Sequence, residues 1–144
     1  MIAQMSRDYI EYGLGWSWTP ARVLAALGDA ATNTAVLGER AHITGFGIMH
    51  YGDEAAHLAL LAVRPNQQQR GLGAHLMAWL EKPALVAGIT CVRLEARADN
   101  ANAIGFYRRQ GYREAGRIAG YYRGSVDAVR LEKRLGVALS APPP

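Results

Sequence analysis

Residues 57–79 read His-Leu-Ala-Leu-Leu-Ala-Val-Arg-Pro-Asn-Gln-Gln-Gln-Arg-Gly-Leu-Gly-Ala-His-Leu-Met-Ala-Trp. The apolar run Leu58–Val63, followed closely by Pro65, predicts a short buried strand. A polar turn follows and ends at Gly71. Beyond it the apolar residues recur at helical spacing, at Leu72, Leu76 and Trp79 or Leu80. The stretch therefore predicts a strand, a glycine-containing loop and a helix N-terminus in direct succession.

This arrangement is typical of an anion site. The first turn of a helix carries unpaired N–H groups and a partial positive charge, and glycine lets the backbone approach a ligand closely. Arg70 adds a full positive charge. A P-loop is excluded because Gly73 is not followed by Lys-Ser/Thr, and the dinucleotide pattern is excluded because Leu76 stands where a third glycine is needed. The sequence therefore predicts a phosphate or pyrophosphate site of another kind.

Two motifs identify that kind. Gln68-x-x-Gly71-x-Gly73 resembles the acetyl-CoA signature (Gln/Arg)-x-x-Gly-x-(Gly/Ala) of the GCN5-related N-acetyltransferase (GNAT) family. Residues 100–112, Asn-Ala-Asn-Ala-Ile-Gly-Phe-Tyr-Arg-Arg-Gln-Gly-Tyr, resemble the family's second signature, Asn-x-x-Ala, then aromatic-Tyr, then Gly-(Phe/Tyr). The motifs come in the family's order, and the resemblance covers roughly residues 42–133.

The C-terminal part narrows the resemblance. Tyr121-Tyr122 followed by Asp127-Ala128 is similar to the final hairpin of the RimI-like branch, which acetylates protein N-termini. The sequence differs from the family's pattern in two respects. The chain begins directly in a helix, so the sheet is expected to lack its N-terminal edge strand, and Leu60 stands where that branch often has a polar residue.

The resemblance implies an α/β (α+β) fold with a mixed, mostly antiparallel central sheet and helices on both faces. The residue pattern predicts helices at 1–12, from Thr19-Pro20 to Gly28, at 71–81 and at 101–110. It predicts strands at 34–38, 42–51, 57–63, 90–96, 112–119 and 126–133. In the second helix we expect a buried face of Val23, Leu24 and Leu27, and in the third we expect Pro83 to end the helix.

Length and composition set the broad class. The chain has 144 residues, half of them hydrophobic, which predicts a single globular domain at 1–135 and a disordered proline-ended tail at 136–144. No apolar run is long enough to span a membrane, no signal peptide is visible, and a single cysteine permits no internal disulfide, so we expect a cytoplasmic protein. The net charge of +4 comes from scattered residues, which argues against nucleic-acid binding. An open sheet edge would allow a homodimer.

The resemblance implies a binding site for acetyl-CoA as co-substrate. Backbone groups of the central strand would pair with the pantetheine arm, the loop amides would hold the pyrophosphate, and Arg70 would pair with phosphate oxygens. The cofactor-binding residues predicted in this way are Leu61, Ala62, Val63, Gln68, Gln69, Arg70, Gly71, Leu72, Gly73, Ala74, Asn100, Ala103 and Tyr107.

The chemistry needs an acid for the leaving thiolate and a base for the acceptor ammonium. Tyr107 matches the family's catalytic tyrosine and is the predicted acid. Glu54 and His57, at the start of the central strand, are the candidate bases, with Glu95 on the neighbouring strand as a third. We expect direct transfer without an acyl-enzyme and no metal site, because the histidines show no ligand spacing.

The acceptor is predicted to be a primary amine, either on a small molecule or at a protein N-terminus or lysine. The walls of its pocket are predicted in two irregular segments, at Trp16 and Trp18 and at Tyr121 and Tyr122. The leading hypothesis is therefore an acetyl-CoA-dependent N-acetyltransferase. The alternative is a catalytically silent acyl-CoA-binding regulatory module that keeps only the cofactor loop.

Overall fold

A computed structural model describes residues 1–10, 18–39, 42–65, 71–122, 124 and 126–136. The chain divides into two compact units. Unit 1 comprises Met1–Tyr51 and Leu58–Pro83, and unit 2 comprises Gly52–His57 and Ala84–Pro144. Among the described helices none is long and apolar enough to cross a membrane. The predicted tail from residue 137 onward lies outside the described residues, as do Trp16 and the loop residues Gln68, Gln69 and Arg70.

Unit 1 contains the N-terminal helices, the first strands and most of the third helix. Its elements are α1 (Ile2–Met5), which continues as a π-helical turn (Ser6–Ile10), α2 (Pro20–Leu27), β1 (Thr32–Glu39), β2 (His42–Tyr51), β3 (Ala55–Val63) and α3 (Leu72–Val86). The first three residues of β3 and the last three of α3 belong to unit 2. The predicted helix-helix-strand-strand-strand-helix order is confirmed.

The start of α2 is set by its cap, as predicted. Pro20 occupies the first helical position, and the Thr19 hydroxyl accepts a hydrogen bond from the Arg22 N–H at 3.4 Å. The prediction that Leu24 and Leu27 are buried is wrong, since they are 69% and 54% exposed. Only Val23 of the predicted face is buried, and Ala26 packs with it against the unit 1 core. The buried face of the helix therefore contains the residues directly before Leu24 and Leu27.

Two glycines let α3 pack closely on the sheet of unit 1, in which β1 pairs antiparallel with β2 and β2 neighbours β3. A Cβ at Gly47 would stand 2.6 Å from Leu80 Cδ1, and one at Gly45 would stand 3.3 Å from Leu76 Cδ1. The missing side chains at these two glycines therefore leave the space that side chains of α3 occupy. The core beside them contains Ile2, Met5, Phe46, Ile48 and Leu60.

Pro83 does not end α3, which corrects the sequence prediction. The helix continues through it to Val86. Ala84, directly after the proline, is fully buried, whereas Leu85 and Val86 are exposed, so the packing of one side chain accompanies the loss of one backbone donor. The helix ends at Val86, and the turn that follows contains Gly88, whose φ of +80° favours glycine, with the Ile89 N–H bonded to the Ala84 carbonyl at 2.9 Å.

Unit 2 holds the remaining strands and the fourth helix. These are β4 (Cys91–Arg97), α4 (Ala101–Arg109), β5 (Arg113–Tyr122) and β6 (Val126–Arg134). Neighbouring strands run β3, β4, β6, β5, with β6 antiparallel to both β4 and β5. The start of β3 pairs parallel with β4 from Ala55/Cys91 to His57/Arg93. The predicted mixed, mostly antiparallel α/β fold is therefore confirmed.

Candidate active site

The end of β3 presents backbone groups on one edge. The Arg64 N–H donates to the Thr44 carbonyl of β2 at 2.8 Å, so the backbone groups of Arg64 and of every second residue before it face β2. Because backbone groups of alternate residues in a strand point to opposite edges, those of Leu61 and Val63 face away from β2, with Ala62 buried between them. This is the geometry that an extended amide-bearing arm needs to pair with a strand.

The N-terminus of α3 begins beside Gly71, which has a φ of +75°. A Cβ built on Gly71 would meet no atom of the described residues within 4 Å. Its carbonyl accepts the His75 N–H at 3.0 Å, so the helical bonding begins at His75. In a helix that starts this way the N–H groups of Leu72, Gly73 and Ala74 have no helical acceptor. The first turn therefore suits a phosphate group in both space and polarity.

Asn100 caps α4, as its place in the second motif predicts. Its side-chain oxygen accepts the Ala103 N–H at 3.1 Å. The helix ends before Gly111, which has a φ of +97°. The cap fixes where α4 begins and thereby fixes the position of Tyr107, two turns further on.

Tyr107 is the buried tyrosine of α4, with 9% of its surface exposed. Its ring packs edge-on against Phe106 and Tyr112, with centroids 5.2 and 5.8 Å away. Burial, together with the neighbouring Tyr122, raises the pKa of its hydroxyl above the ordinary value of 10.0. The hydroxyl therefore stays protonated at physiological pH and acts as a hydrogen-bond donor.

Glu95 lies at the centre of a polar cluster in unit 2. Its side chain is only 8% exposed. His57 Nε2 lies 2.6 Å from Glu95 Oε1, the Tyr121 hydroxyl donates to the same oxygen at 3.2 Å, and Arg130 Nε lies 3.6 Å from Oε2. The alternation of β4 explains its orientation, since Val92, Leu94 and Ala96 are buried in the core and Glu95 points to the other face.

The cluster keeps this buried carboxyl ionised. Burial alone raises the pKa of Glu95, but the hydrogen bonds from His57 and Tyr121 and the charges of His57 and Arg130 outweigh it. The net result is a pKa below the ordinary value of 4.5. A buried, ionised carboxylate bonded to an imidazole can orient that imidazole, receive a proton with it and attract an ammonium group.

The hairpin of β5 and β6 brings Tyr121 to Glu95. Asp127 of β6 accepts the Gly120 N–H at 3.0 Å and pairs with Arg117 at 3.2 Å, and these two contacts hold the pKa of Asp127 below its ordinary value. Gly120 has a φ of +63° in an irregular stretch of the ladder. Tyr121 packs edge-on against Tyr122 with centroids 4.9 Å apart.

A cavity of about 350 Å³ opens over this cluster. It contains two predicted site residues, His57 and Tyr121, and the third base candidate, Glu95. The complete lining is Ala55, Ala56, His57, Arg93, Glu95, Tyr121 and Arg130. Sequence reasoning did not single out Arg93 and Arg130. Strand alternation alone places Arg93 on the same face of β4 as Glu95. The position of Arg130 beside Glu95 could be known only from the pairing of β4 with β6.

Glu54 and Trp18 are not among the residues that line this cavity. Glu54 is exposed in the turn before β3, its carbonyl accepts the Thr90 N–H at 3.3 Å, and it does not line the cavity. Trp18 packs against the core of unit 1, with the Arg22 guanidinium 4.0 Å from its ring centroid. The structure thus groups His57 with Glu95 and gives Trp18 a packing role.

The chain is similar to several acetyltransferases. It is 36% identical to the ribosomal protein bS18-alanine N-acetyltransferase of Salmonella typhimurium over 90 residues, which cover 60% of this chain and 61% of that protein. The solved structure of the corresponding Escherichia coli enzyme matches with a TM-score of 0.76 and 26% identity over 93% of this chain and 85% of that one. A putative streptothricin acetyltransferase of Bacillus anthracis, solved in complex with acetyl coenzyme A, shares the fold, with a TM-score of 0.69 and 18% identity over 78% and 67% of the two chains.

The matches to curated relatives are partial, since the chain spans about 61% of the length of the Salmonella enzyme. The model of the Acetyltransferase (GNAT) family matches residues 3–112, which include β3, the N-terminus of α3 and all of α4. By that match the chain belongs to the GNAT acetyltransferase family.

Proposed function

We propose that this chain transfers the acetyl group of acetyl-CoA to the α-amine at a polypeptide N-terminus. The observation that carries the proposal is the 2.6 Å contact between His57 and the buried Glu95 in a cavity that Tyr121 also lines. Family membership supports the acetyl donor, and the similarity to alanine N-acetyltransferases supports the class of acceptor.

Acetyl-CoA fits the residues of unit 1. The N–H groups of Leu72, Gly73 and Ala74, at the open turn beside Gly71, would hold the pyrophosphate, and Arg70 of the same motif would pair with it. The edge of β3 with the backbone of Leu61 and Val63 would pair with the pantetheine amides. When bound, the thioester supplies an activated acetyl group.

The acceptor amine must lose a proton to react. A polypeptide α-amine has a pKa of about 7.7–8.0, against about 10.4 for lysine, so a much larger fraction of it is neutral near pH 7. The ionised Glu95 attracts the ammonium form, and the His57–Glu95 pair takes the proton as one coupled unit. This transfer precedes attack, because only the neutral amine has a lone pair to attack the thioester carbonyl. When the C–S bond then breaks, the second proton of the nitrogen passes to the solvent, and the products are the amide and the thiolate.

The departing sulfur needs a hydrogen-bond donor. We assign this role to the Tyr107 hydroxyl, as the second motif implies. The pKa of Tyr107 is raised by burial and lies above the value of about 8.5 for a thiol, so Tyr107 stabilises the thiolate by donating a hydrogen bond and keeps its proton.

The test is acetyl-CoA binding by calorimetry, followed by thiol release with three acceptors: an Ala-led peptide, a lysine peptide with a blocked N-terminus, and a small alkylamine. We expect binding and thiol release with the Ala-led peptide above all. Binding of acetyl-CoA without thiol release for any acceptor would favour the alternative, a silent acyl-CoA-binding module. Absence of binding would refute the proposed function.

A further inference from the structure

The cavity over Glu95 holds more positive than negative charge. Its lining carries two guanidinium groups, those of Arg93 and Arg130, and one carboxylate, that of Glu95, beside His57. A pocket built only for a cationic amine would be expected to lack these arginines, because like charges repel. The excess of positive charge therefore indicates that the acceptor carries a negatively charged group in addition to its amine.

The two signs of charge lie at different depths. The Glu95 side chain is 8% exposed, whereas the Arg93 and Arg130 side chains are 53% and 44% exposed. The Glu95 carboxylate forms the floor, and the His57 side chain, 45% exposed, lies with the two guanidinium groups nearer the rim. An acceptor that places its amine at the floor brings the atoms next to the amine within reach of the rim.

The arginines also have donors to offer. The contact of Arg130 with Glu95 is a single one, at 3.6 Å through Nε, and the contact of Arg93 with Glu132 is through Nε at 3.1 Å. A guanidinium has five N–H donors, and its two amino groups remain suited to a bidentate contact with another carboxylate. Replacement of either by lysine would lose that fork geometry.

The strand register fixes the spacing. Glu95 and Arg130 are directly opposed on β4 and β6, and Arg93 lies two residues before Glu95 on the same face of β4. Two residues along a strand span about 7 Å. A carboxylate one residue beyond the N-terminal residue of an extended peptide lies at a comparable distance from the amine.

We propose that Arg93 and Arg130 select an acceptor whose amine is followed by a carboxylate, in the form of an acidic side chain at the second residue of the peptide. The inference rests on the proposed function, because it assigns the specificity of the same site. Arg93 and Arg130 are specificity-determining residues here, and the amine chemistry stays with His57, Glu95 and Tyr107.

The experiment compares kcat/KM for peptides that begin Ala-Asp, Ala-Asn and Ala-Lys and are otherwise identical, together with free alanine and alaninamide. We expect Ala-Asp to exceed Ala-Asn about tenfold and Ala-Lys by more. Arg93→Gln should bring the Asp/Asn ratio close to one. Arg134→Gln, an exposed β6 arginine outside the cavity lining, is the matched control and should keep the wild-type ratio.

The different acceptors distinguish failure of the specificity inference from failure of the proposed function. Preference for alanine over alaninamide, without one for Ala-Asp, would place the carboxylate on a small molecule and overturn the peptide assignment. Equal rates with all three peptides would refute the inference and leave the proposed acetyltransferase function intact. Thiol release with none of the acceptors would refute both. A preference that Arg93→Gln and Arg134→Gln reduce equally would show a general effect of net charge and would also overturn the inference.

Discussion

The first turn of α3 and the cluster around Glu95 carry the proposed reaction by different means. The turn at Gly71 offers the backbone N–H groups of consecutive residues, Leu72, Gly73 and Ala74. The Glu95 cluster consists of side chains from β3, β4, β5 and β6, and one buried carboxylate unites them. A backbone site tolerates changes of side chain that preserve its shape, whereas a side-chain cluster depends on single atoms. The two regions should therefore respond to mutation in separable ways.

The largest expected effect is at Glu95. Glu95→Gln keeps the shape but removes the ionised group, so kcat should fall by about 10²- to 10⁴-fold. Steady-state thiol release measures it. Glu114→Gln removes a β5 carboxylate from an exposed pair with Arg108 and serves as the control, with a rate close to wild type. A Glu95→Gln enzyme of normal rate would remove Glu95 from the reaction.

Tyr107→Phe should give the next largest effect. The loss of the hydrogen bond to the thiolate should lower kcat by about tenfold to a hundredfold and leave the affinity for acetyl-CoA nearly unchanged. Tyr112→Phe is the matched control, because it removes the hydroxyl of a buried tyrosine that packs on Tyr107, at a position where the second motif accepts phenylalanine. Equal losses in the two variants would point to packing in place of catalysis.

Ala74→Glu tests the backbone site alone. A carboxylate in the first turn of a helix interacts favourably with the helix dipole, so the thermal midpoint should stay the same or rise slightly. The same charge should repel the pyrophosphate and weaken acetyl-CoA binding by about tenfold or more, measured by calorimetry. Ala74→Gln, the neutral isostere, should bind normally. Normal binding by Ala74→Glu would place the pyrophosphate elsewhere.

The smallest expected effect is on stability against acid. The pKa of Glu95 in the folded protein lies below its ordinary value of 4.5, so its ion pairs stabilise the fold above pH 4.5. This contribution is lost as the pH falls through the folded-state pKa, and we expect it to be on the order of 1 kcal/mol or less. Urea unfolding of wild type and Glu95→Gln at pH 7 and below 4.5 should show a difference that shrinks on acidification. A constant difference would contradict the assignment.

The same contrast explains what the sequence could reveal. The Gly71 turn, the Thr19 and Asn100 caps and the alternation in β4 follow from neighbouring residues, and each was predictable. The joining of His57 to Glu95 depends on strand register, which brings together residues 38 positions apart, and local pattern left three candidate bases open.

Where local rules failed, packing outweighed them. Pro83 was expected to end α3, yet the helix continues to Val86, and Ala84, directly after the proline, is fully buried. Leu24 and Leu27 were expected inside, yet the smaller Val23 and Ala26 face the core. In both cases the deciding contacts come from residues distant in sequence, which periodicity along one helix does not report.

The central claim is that one region binds acetyl-CoA and the other acts in turnover. Its most direct test is the dissociation constant of acetyl-CoA for Glu95→Gln, measured by calorimetry beside wild type. Because the cofactor is assigned to backbone groups of β3 and α3, we expect the two constants to agree within about twofold although turnover is lost. A tenfold weaker affinity in Glu95→Gln would contradict the account, since it would make the Glu95 cluster part of the cofactor site.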